Sequence, residues 1–551
     1  MRSFLSRRLF PLTIGAIAVV FLGLFFLLPV LKVFGASVLD GTGAHFTLKN
    51  YADMLTDPFY LTGLGNSLMI AAAAAALTVV VGVPFAFCLA RLPIGAKAVL
   101  LALAALPLVL PSFVSAYALV LMFGRAGIVT GWLHAIGIPF RSIYGAPGMI
   151  AVYVLTLYPY VVMPTIAAFR AVDVSMEEAA QNLGAPPARM LRTVMLPLVM
   201  PSILAGALLV FIEALENFGV PFVLAEDRPI LSLEAYKLFV GETSDNPASA
   251  GVLGMVLIVC TVIALLVQRA VLARRGYATT ARRAAPLLTA RPLLRFAAAV
   301  WCWLLVGAAL VPFAAVIVIS LMKFQGPVMY PAFSLGNFAQ LFGQSYRPLG
   351  NTLLLSTLAA AGALAIGIPI GYVVTRFRSR LTGTIDIIAT SPFAVAGTVL
   401  GIGLVLSFGG GWLVLTGSAT IMVIAYMVRK LPFSVRSAGA ILRQLDPSLE
   451  EASVNLGVPP ALTFARITLP LMLGGIVGSF VLSFVTVASE LSSTVVLYSG
   501  PWMTMTVVMF QALEGTSAGV AAAAATVLIV CTVVPVALVY RILRRRELNM
   551  V

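Results

Sequence analysis

Runs of largely uncharged apolar residues, each long enough to cross a lipid bilayer, recur from one end of this chain to the other. A chain patterned in this way has few folds open to it. In hydrocarbon every backbone N–H and C=O must be satisfied inside the protein, so only helices and closed barrels span a membrane. Each run supplies the roughly 20 residues that one helix needs. Twelve spans are predicted, over 10–33, 64–90, 98–123, 147–169, 198–224 and 248–270, then 296–321, 351–375, 384–408, 416–435, 471–497 and 518–541. With 61% hydrophobic and 10% charged residues and a mean hydropathy of +1.06, a soluble fold would expose more apolar surface than water tolerates. The expected fold class is an all-α integral membrane protein of about 12 helices. The span holding Pro107 and Pro111 is expected to be broken or kinked.

The net charge of +15 raises the question of nucleic acid, and the placement of the cations answers it against that partner. With both termini on the cytoplasmic side, most Lys and Arg gather at the N-terminus, the inward loops, the connector and the tail, as the positive-inside rule requires. The connector alone carries Arg269, Arg274, Arg275, Arg282, Arg283, Arg291 and Arg295, a solvated anchor for an anionic lipid leaflet. Arg2, Arg7 and Arg8 precede a first span without a persuasive cleavage site, so that span reads as retained. Cys88, Cys260, Cys302 and Cys531 fall inside apolar spans and read as small core residues. His45 and His134 stand in outward loops with no metal-ligand partner at a suitable spacing, so no metal site is expected.

The chain is built twice. Gly65-Asn66-Ser67-Leu68, Gly82-Val-Pro84 and Arg91 return 285 residues later as Gly350-Asn351-Thr352-Leu353, Gly367-Ile-Pro369 and Arg376. Asn50-Tyr51-Ala52 returns as Asn337-Phe338-Ala339. The expected organisation is a first half, 1–270, a basic cytoplasmic linker, 271–295, and a second half, 296–551. Six spans per half give both copies the same topology, and so a pseudo-twofold axis along the membrane normal.

The most faithful repeat is polar. Asp173-Val-Ser-Met-Glu-Glu178-Ala-Ala-Gln-Asn-Leu-Gly184-Ala-Pro-Pro187, running on to Leu196-Pro197, is matched 273 residues later by Asp446-Pro-Ser-Leu-Glu-Glu451-Ala-Ser-Val-Asn-Leu-Gly457-Val-Pro-Pro460, running on to Leu469-Pro470. Ser175 with Glu178, and Ser448 with Glu451, have the spacing of a capping box. Glu177 and Glu450 add negative charge at the positive end of the same short helix. Gly184 and Gly457 suit a left-handed helix stop, and Pro187 and Pro460 the first turn of a following helix. Met176, Ala179, Ala180 and Leu183 form one apolar stripe, repeated by Leu449, Ala452, Ser453 and Leu456. So short a helix needs a surface to pack on, either its own protein or a partner.

This pattern resembles the signature loop of the permease subunits of binding-protein-dependent ABC importers. Glu178-Ala179-Ala180, Gly184, Val194 and Leu196-Pro197 fit it, as do Glu451-Ala452-Ser453, Gly457, Ile467 and Leu469-Pro470; Ser453 stands where the family usually has Ala. The resemblance implies a type I importer permease fold in the bacterial inner membrane. It also implies that these loops couple to two copies of a cytoplasmic ABC ATPase, which binds the ATP and Mg, and that a periplasmic binding protein delivers the solute. The chain has no Gly-x-x-x-x-Gly-Lys phosphate loop of its own, so it is expected to be a transport subunit and not an enzyme, with no cofactor. The whole chain resembles the subgroup with two fused halves. Glu213-Ala-Leu-Glu216-Asn217-Phe-Gly219-Val-Pro221 and Ser489-Glu490-Leu-Ser492 resemble the ferric-iron type, which implies ferric iron as solute, with thiamine, a phosphonate or a polyamine as alternatives.

Glu213, Glu216 and Glu490 lie within apolar spans, where a lipid-facing ion costs about 3 kcal/mol. They are therefore expected to face the bundle or a wet path. Together with Asn217 and Ser489 they are the pathway candidates, as an acidic lining for a cation or as hydrogen-bonding groups that hold helices in register. An ion-coupled secondary carrier shares the pattern of twelve spans in two repeats, but its usual charged loop after the second span is missing from Arg91 to Lys97. A membrane enzyme would need convergent catalytic groups, and none appear.

Overall fold

The computed structural model describes residues 2–40, 45–109, 111–125, 127–140, 142–240, 247–273, 291–325, 328–377, 379–411, 413–515 and 517–548. Most of the linker 271–295 lies outside the described residues. The principal helices are α1 (Pro11–Val38), α2 (Pro58–Arg91), α3 (Lys97–Val109), α4 (Ser112–Phe123), α5 (Ala146–Arg170), α6 (Val174–Asn182), α7 (Leu196–Glu216) and α8 (Ala248–Val271). There follow α9 (Pro292–Ser320), α10 (Arg347–Arg376), α11 (Arg380–Thr390), α12 (Gly397–Phe408), α13 (Ala419–Leu442), α14 (Ser448–Asn455), α15 (Leu469–Ala488) and α16 (Ala518–Leu538). A short antiparallel hairpin, β1 (Met322–Gln325) with β2 (Val328–Phe333), follows α9 and adds a little strand to a chain expected to be all-α.

Among the described residues ten helices are long and apolar enough to cross a membrane, or eleven if one bent pair counts as a span. Every predicted span has a helical counterpart, and the differences have local causes. The third span breaks between α3 and α4, where Pro111 is extended (φ −62, ψ 133) and starts the next helix without an N–H to give. The ninth bends by 105° between Leu381–Ala394 and Gly397–Phe408. The tenth, α13, carries Arg429, Lys430 and Arg436. The fifth and eleventh stop at Glu216 and Ala488, short of the expected 224 and 497, and short helices Gly219–Leu224 and Thr494–Leu497 follow. Pro159 and Pro432 lie inside uninterrupted helices.

The chain forms two compact units whose membership crosses the sequence halves. One contains Met1–Tyr51, Ala235–Met255 and Ile319–Val551; the other contains Ala52–Glu234 and Val256–Val318. Thus α1, the first helix of the first half, packs with helices of the second: Phe25 and Phe408 rings lie 5.6 Å apart, and Gly15 sits against Ile385. Conversely, most of α9 packs with first-half helices, where Cys302, Leu305 and Val306 join Phe85, Leu89, Tyr158 and Val162 in one core. Within the first unit α10, α13 and α15 meet around Tyr372, Val373, Ala438, Leu442 and Met472.

Small residues and duplicated polar groups set these contacts. A Cβ added at Gly367 would lie 2.5 Å from the Ser434 Cβ, and one at Gly82 would lie 3.2 Å from Val162. Glycine is therefore what lets the second and fourth spans of each half approach. The repeated Asn residues are staples: Asn50 Nδ2 donates to the Ser37 and Leu39 carbonyls at 3.0 and 2.8 Å, and Asn337 Nδ2 to those of Ser320 and Met322 at 2.9 and 2.8 Å. Each satisfies the orphan carbonyls where a first span ends. Likewise Ser67 Oγ accepts the Leu231 N–H and Thr352 Oγ1 the Met505 N–H, at 3.0 and 2.9 Å.

The packing of α9 on α2 can be read chemically, because Cys302 of α9 is buried in the same core against which Cys88 of α2 packs. Mild copper-phenanthroline oxidation of the intact protein is expected to join them, giving a Cys88–Cys302 linked peptide by mass spectrometry. Recovery of both as separate free thiols, while Cys placed at matched depth elsewhere reacts, would contradict this packing.

Candidate coupling site and the intramembrane charge cluster

The duplicated polar loop folds the same way twice. Gly184 and Gly457 take φ +75 and φ +84, the left-handed conformation that glycine adopts without strain and that closes α6 and α14. Pro187 and Pro460 then open short helices that run through π-helical turns, Leu191–Met195 and Phe464–Thr468, into α7 and α15. Leu196-Pro197 and Leu469-Pro470 stand at that junction, each proline in the first helical turn.

The capping differs from the sequence expectation. Asp173 Oδ1 accepts the Ser175 N–H at 2.9 Å, and Asp446 Oδ1 accepts the Ser448 N–H at the same distance. An aspartate standing ahead of the helix thus does what was expected of Ser175 with Glu178 and of Ser448 with Glu451, and both glutamates are left exposed. Hydrogen bonding to the Ser448 backbone and hydroxyl holds the Asp446 carboxyl below the usual carboxylate range, so the cap stays ionised at neutral pH.

Glu177 and Glu450 do more than offset a helix dipole. Arg91, the last residue of α2, donates from Nη2 to Glu177 Oε2 at 2.5 Å and from Nη1 to the Phe169 carbonyl at 3.4 Å. Arg376, the last residue of α10, donates from Nε to Glu450 Oε1 and from Nη2 to the Leu445 carbonyl, both at 3.2 Å. The first pair is almost sealed, with side chains 1% and 6% exposed, whereas the second is 15% and 14% exposed. Glu450 also accepts from Tyr372 and Thr468 at 3.1 and 3.2 Å. The corresponding first-half residues, Phe87 and Met195, can donate nothing, and Glu177 Oε1 is buried without a hydrogen bond. Arg91 and Arg376 were visible as a matched pair in the repeat, but nothing in the sequence linked them to glutamates more than 70 positions away.

The predicted apolar stripe is split. Ala180 and Ser453 turn inward and are buried; Ser453 Oγ lies 2.9 Å from Thr463 Oγ1, where the first half has Ala180 with Met190. The unusual serine is thus matched by a polar neighbour inside its own half. What remains outside is Met176, Ala179 and Leu183 on α6, and Leu449, Ala452 and Leu456 on α14. Leu183 is 88% and Leu456 85% exposed. Each unit therefore presents a short helix with an apolar outer edge and an exposed glutamate, tied to a long helix by an ion pair.

The intramembrane candidates separate by environment. At the end of α7, Asn217 Oδ1 accepts the Val220 N–H at 2.8 Å while Nδ2 donates to Ser112 Oγ at 3.0 Å. Its repeat partner Glu490 does the same capping, accepting the Ser493 N–H at 3.2 Å, and follows Ser489, which closes α15. The added charge of Glu490 is met by Arg429 Nε at 3.5 Å and Lys430 Nζ at 3.8 Å, so this buried carboxylate offers no net negative surface. Arg429 also packs over Gly397 at the bend of the ninth span and reaches the Val395 carbonyl at 3.4 Å. Glu213 is half-buried and Glu216 buried. Two adjacent cations inside a predicted span were the overlooked signal for this cluster. Among the described residues no group of three or more His, Cys, Asp and Glu is placed to hold a metal.

Removing one member of a sealed ion pair leaves the other charge buried and alone, at a cost of about 3–5 kcal/mol. Glu177→Gln is therefore expected to lower thermal stability in detergent more than Glu450→Gln, and the double change Arg91→Met with Glu177→Leu to recover most of the loss. Equal, small losses for all three variants would contradict the burial difference.

The chain matches the family described as "Binding-protein-dependent transport system inner membrane component" twice, over residues 82–277 and 363–548. It is 28% identical to the "Ferric transport system permease protein FbpB" of Actinobacillus pleuropneumoniae, across 94% of this chain and 76% of that protein. It is 32% identical to the "Spermidine/putrescine transport system permease protein PotB" of Escherichia coli (strain K12), across 43% of this chain and 91% of that one. A crystal structure of a bacterial ABC transporter for import of the polysaccharide alginate aligns with 46% of the chain at a TM-score of 0.38 and 17% identity. With both repeats matched over more than half of its length, this chain belongs to the family of binding-protein-dependent transport system inner membrane components.

Proposed function

We propose that the chain forms the solute pathway of an ATP-driven importer, its two halves, 1–270 and 296–551, joined by the basic linker in the inner membrane with both termini cytoplasmic. The observation that carries the coupling part of this reading is the pair of matched, exposed helix edges, Met176, Ala179 and Leu183, and Leu449, Ala452 and Leu456. They form a repeated docking surface for two copies of a cytoplasmic ABC ATPase. Glu178 and Glu451 flank these edges, and Arg91–Glu177 and Arg376–Glu450 carry displacement of each docked helix into α2 and α10. ATP and Mg belong to the ATPase, which makes this chain a transport subunit. The solute we assign is ferric iron handed over by a periplasmic binding protein. The supporting fact is that a relative matched over nearly the whole fused chain carries the name ferric transport permease. A polyamine is the second reading, supported by higher identity to a relative of half this length.

Along the pathway Glu213 and Glu216 are the carboxylates that lower the barrier for a cation. Asn217 and Ser489 shape the breaks beside them, and Glu490 serves as a cap neutralised by Arg429 and Lys430. Neutralising Glu213 is therefore expected to slow uptake of radiolabelled ferric iron into cells at least tenfold, with membrane insertion unchanged. Undiminished iron uptake by Glu213→Gln, or uptake of labelled spermidine in place of iron by the unmodified protein, would overturn the assignment.

Burying a leucine contributes about 1.5–3 kcal/mol, so placing a charge at the docking edge has a large effect. Leu183→Glu together with Leu456→Glu is expected to abolish co-purification of the ATPase subunit while leaving the permease folded, because both positions are exposed. Unchanged recovery of the ATPase with the double variant would show that docking lies elsewhere.

A further inference from the structure

The second half contains a polar cavity. It has a volume of about 430 Å³ and is lined by Thr375, Arg376, Asp386, Arg436, Gly439 and Arg443, with Leu445 and Pro447 leading into α14. At the corresponding first-half positions stand Ala90, Arg91, Leu101, Met163, Ile166 and Arg170. There Ala90 and Ile166 are buried in the core, with Leu101 and Met163 packed against it. One isoleucine replaced by Gly439, and two apolar side chains replaced by Asp386 and Arg436, turn a packed core into an open, charged recess.

Two of the three guanidinium groups at the recess have a carboxylate partner in contact. Arg376 is held by Glu450 and Arg436 lies 3.7 Å from Asp386. Arg443 packs across Gly439, its Nη1 3.5 Å from where a Cβ would sit, and has no acidic partner among the described residues. Arg443 thus leaves one lining guanidinium with no carboxylate in contact among the described residues. Planar forks of this kind bind phosphate oxygens bidentately, and the volume is in the range of small-molecule sites. We propose that this recess binds a phosphate-bearing anion, either a free phosphate compound or the headgroup of an anionic lipid. Because Arg376, Leu445 and Pro447 belong both to the recess and to the anchorage of α14, its occupant braces that short surface helix.

The test uses the full chain in lipid nanodiscs, with inorganic pyrophosphate as the probe in neutral phosphatidylcholine discs and phosphatidylglycerol discs as the lipid arm. Saturable pyrophosphate binding in neutral discs, weakened about tenfold or more by Arg443→Ala as loss of a charged hydrogen-bond partner implies, supports a free phosphate compound. Thermal stabilisation by phosphatidylglycerol that Arg443→Ala removes supports a lipid headgroup. Gly439→Ile, which refills the recess with the first-half residue and leaves every charge in place, should abolish either response; Arg170→Ala should alter neither. No saturable response in either arm, or equal responses in the unmodified protein, Arg443→Ala and Gly439→Ile, would overturn the proposal.

Discussion

An ion inside a membrane protein is tolerated only where another charge and several hydrogen bonds meet it, and the duplicated polar loop of this chain is organised around two such pairs. Arg91 and Arg376 end the second span of each half, and Glu177 and Glu450 reach back to them from the short helices. Without those ties α6 and α14 would be eight- or nine-residue helices with little of their own to hold them. With them each short helix is fastened at one end to a helix of 30 residues or more. A displacement of the short helix then has somewhere to go. The aspartate caps, the left-handed glycines and the prolines set the shape of the loop, while the ion pair fixes its attachment.

Duplication kept the scaffold and let the interior diverge. The asparagine staples, the small residues between the second and fourth spans and the cap at the break after the fifth and eleventh spans appear in both halves with the same geometry. Around the short helices and the cap after the eleventh span the second half is the more polar one. Phe87 and Met195 become Tyr372 and Thr468 around the glutamate; Ala180 and Met190 become Ser453 and Thr463; Asn217 becomes Glu490, with Arg429 and Lys430 beside it. In low dielectric each added polar group needs a partner, and these changes come as mutually satisfying sets. The two copies of the polar loop therefore have nearly the same outer edges on differently supported bases.

The exchange of first helices gives the repeat a second meaning. Because α1 packs with second-half helices and most of α9 with first-half helices, neither compact unit can be assembled from one half of the sequence alone. A gene-level division at the basic linker therefore does not correspond to a division in packing, and each unit depends on both halves being present in one membrane.

What the sequence determined by itself was whatever is local or periodic. Hydrophobic run length placed twelve helical segments, the repeat identified equivalent positions, and Gly184, Gly457, Pro187 and Pro460 announced the turns they make, because backbone conformation at such residues follows from their own covalent structure. The family resemblance rested on the same short-range pattern. Tertiary structure alone decided which groups meet across long separations: that Glu177 and Glu450 point at Arg91 and Arg376, that Ala180 and Ser453 face inward, that Glu490 is neutralised, and that α1 and α9 change places. A side chain's partner depends on which helix faces it, and in a chain whose helices are nearly all apolar, periodicity gives little indication of which face that will be.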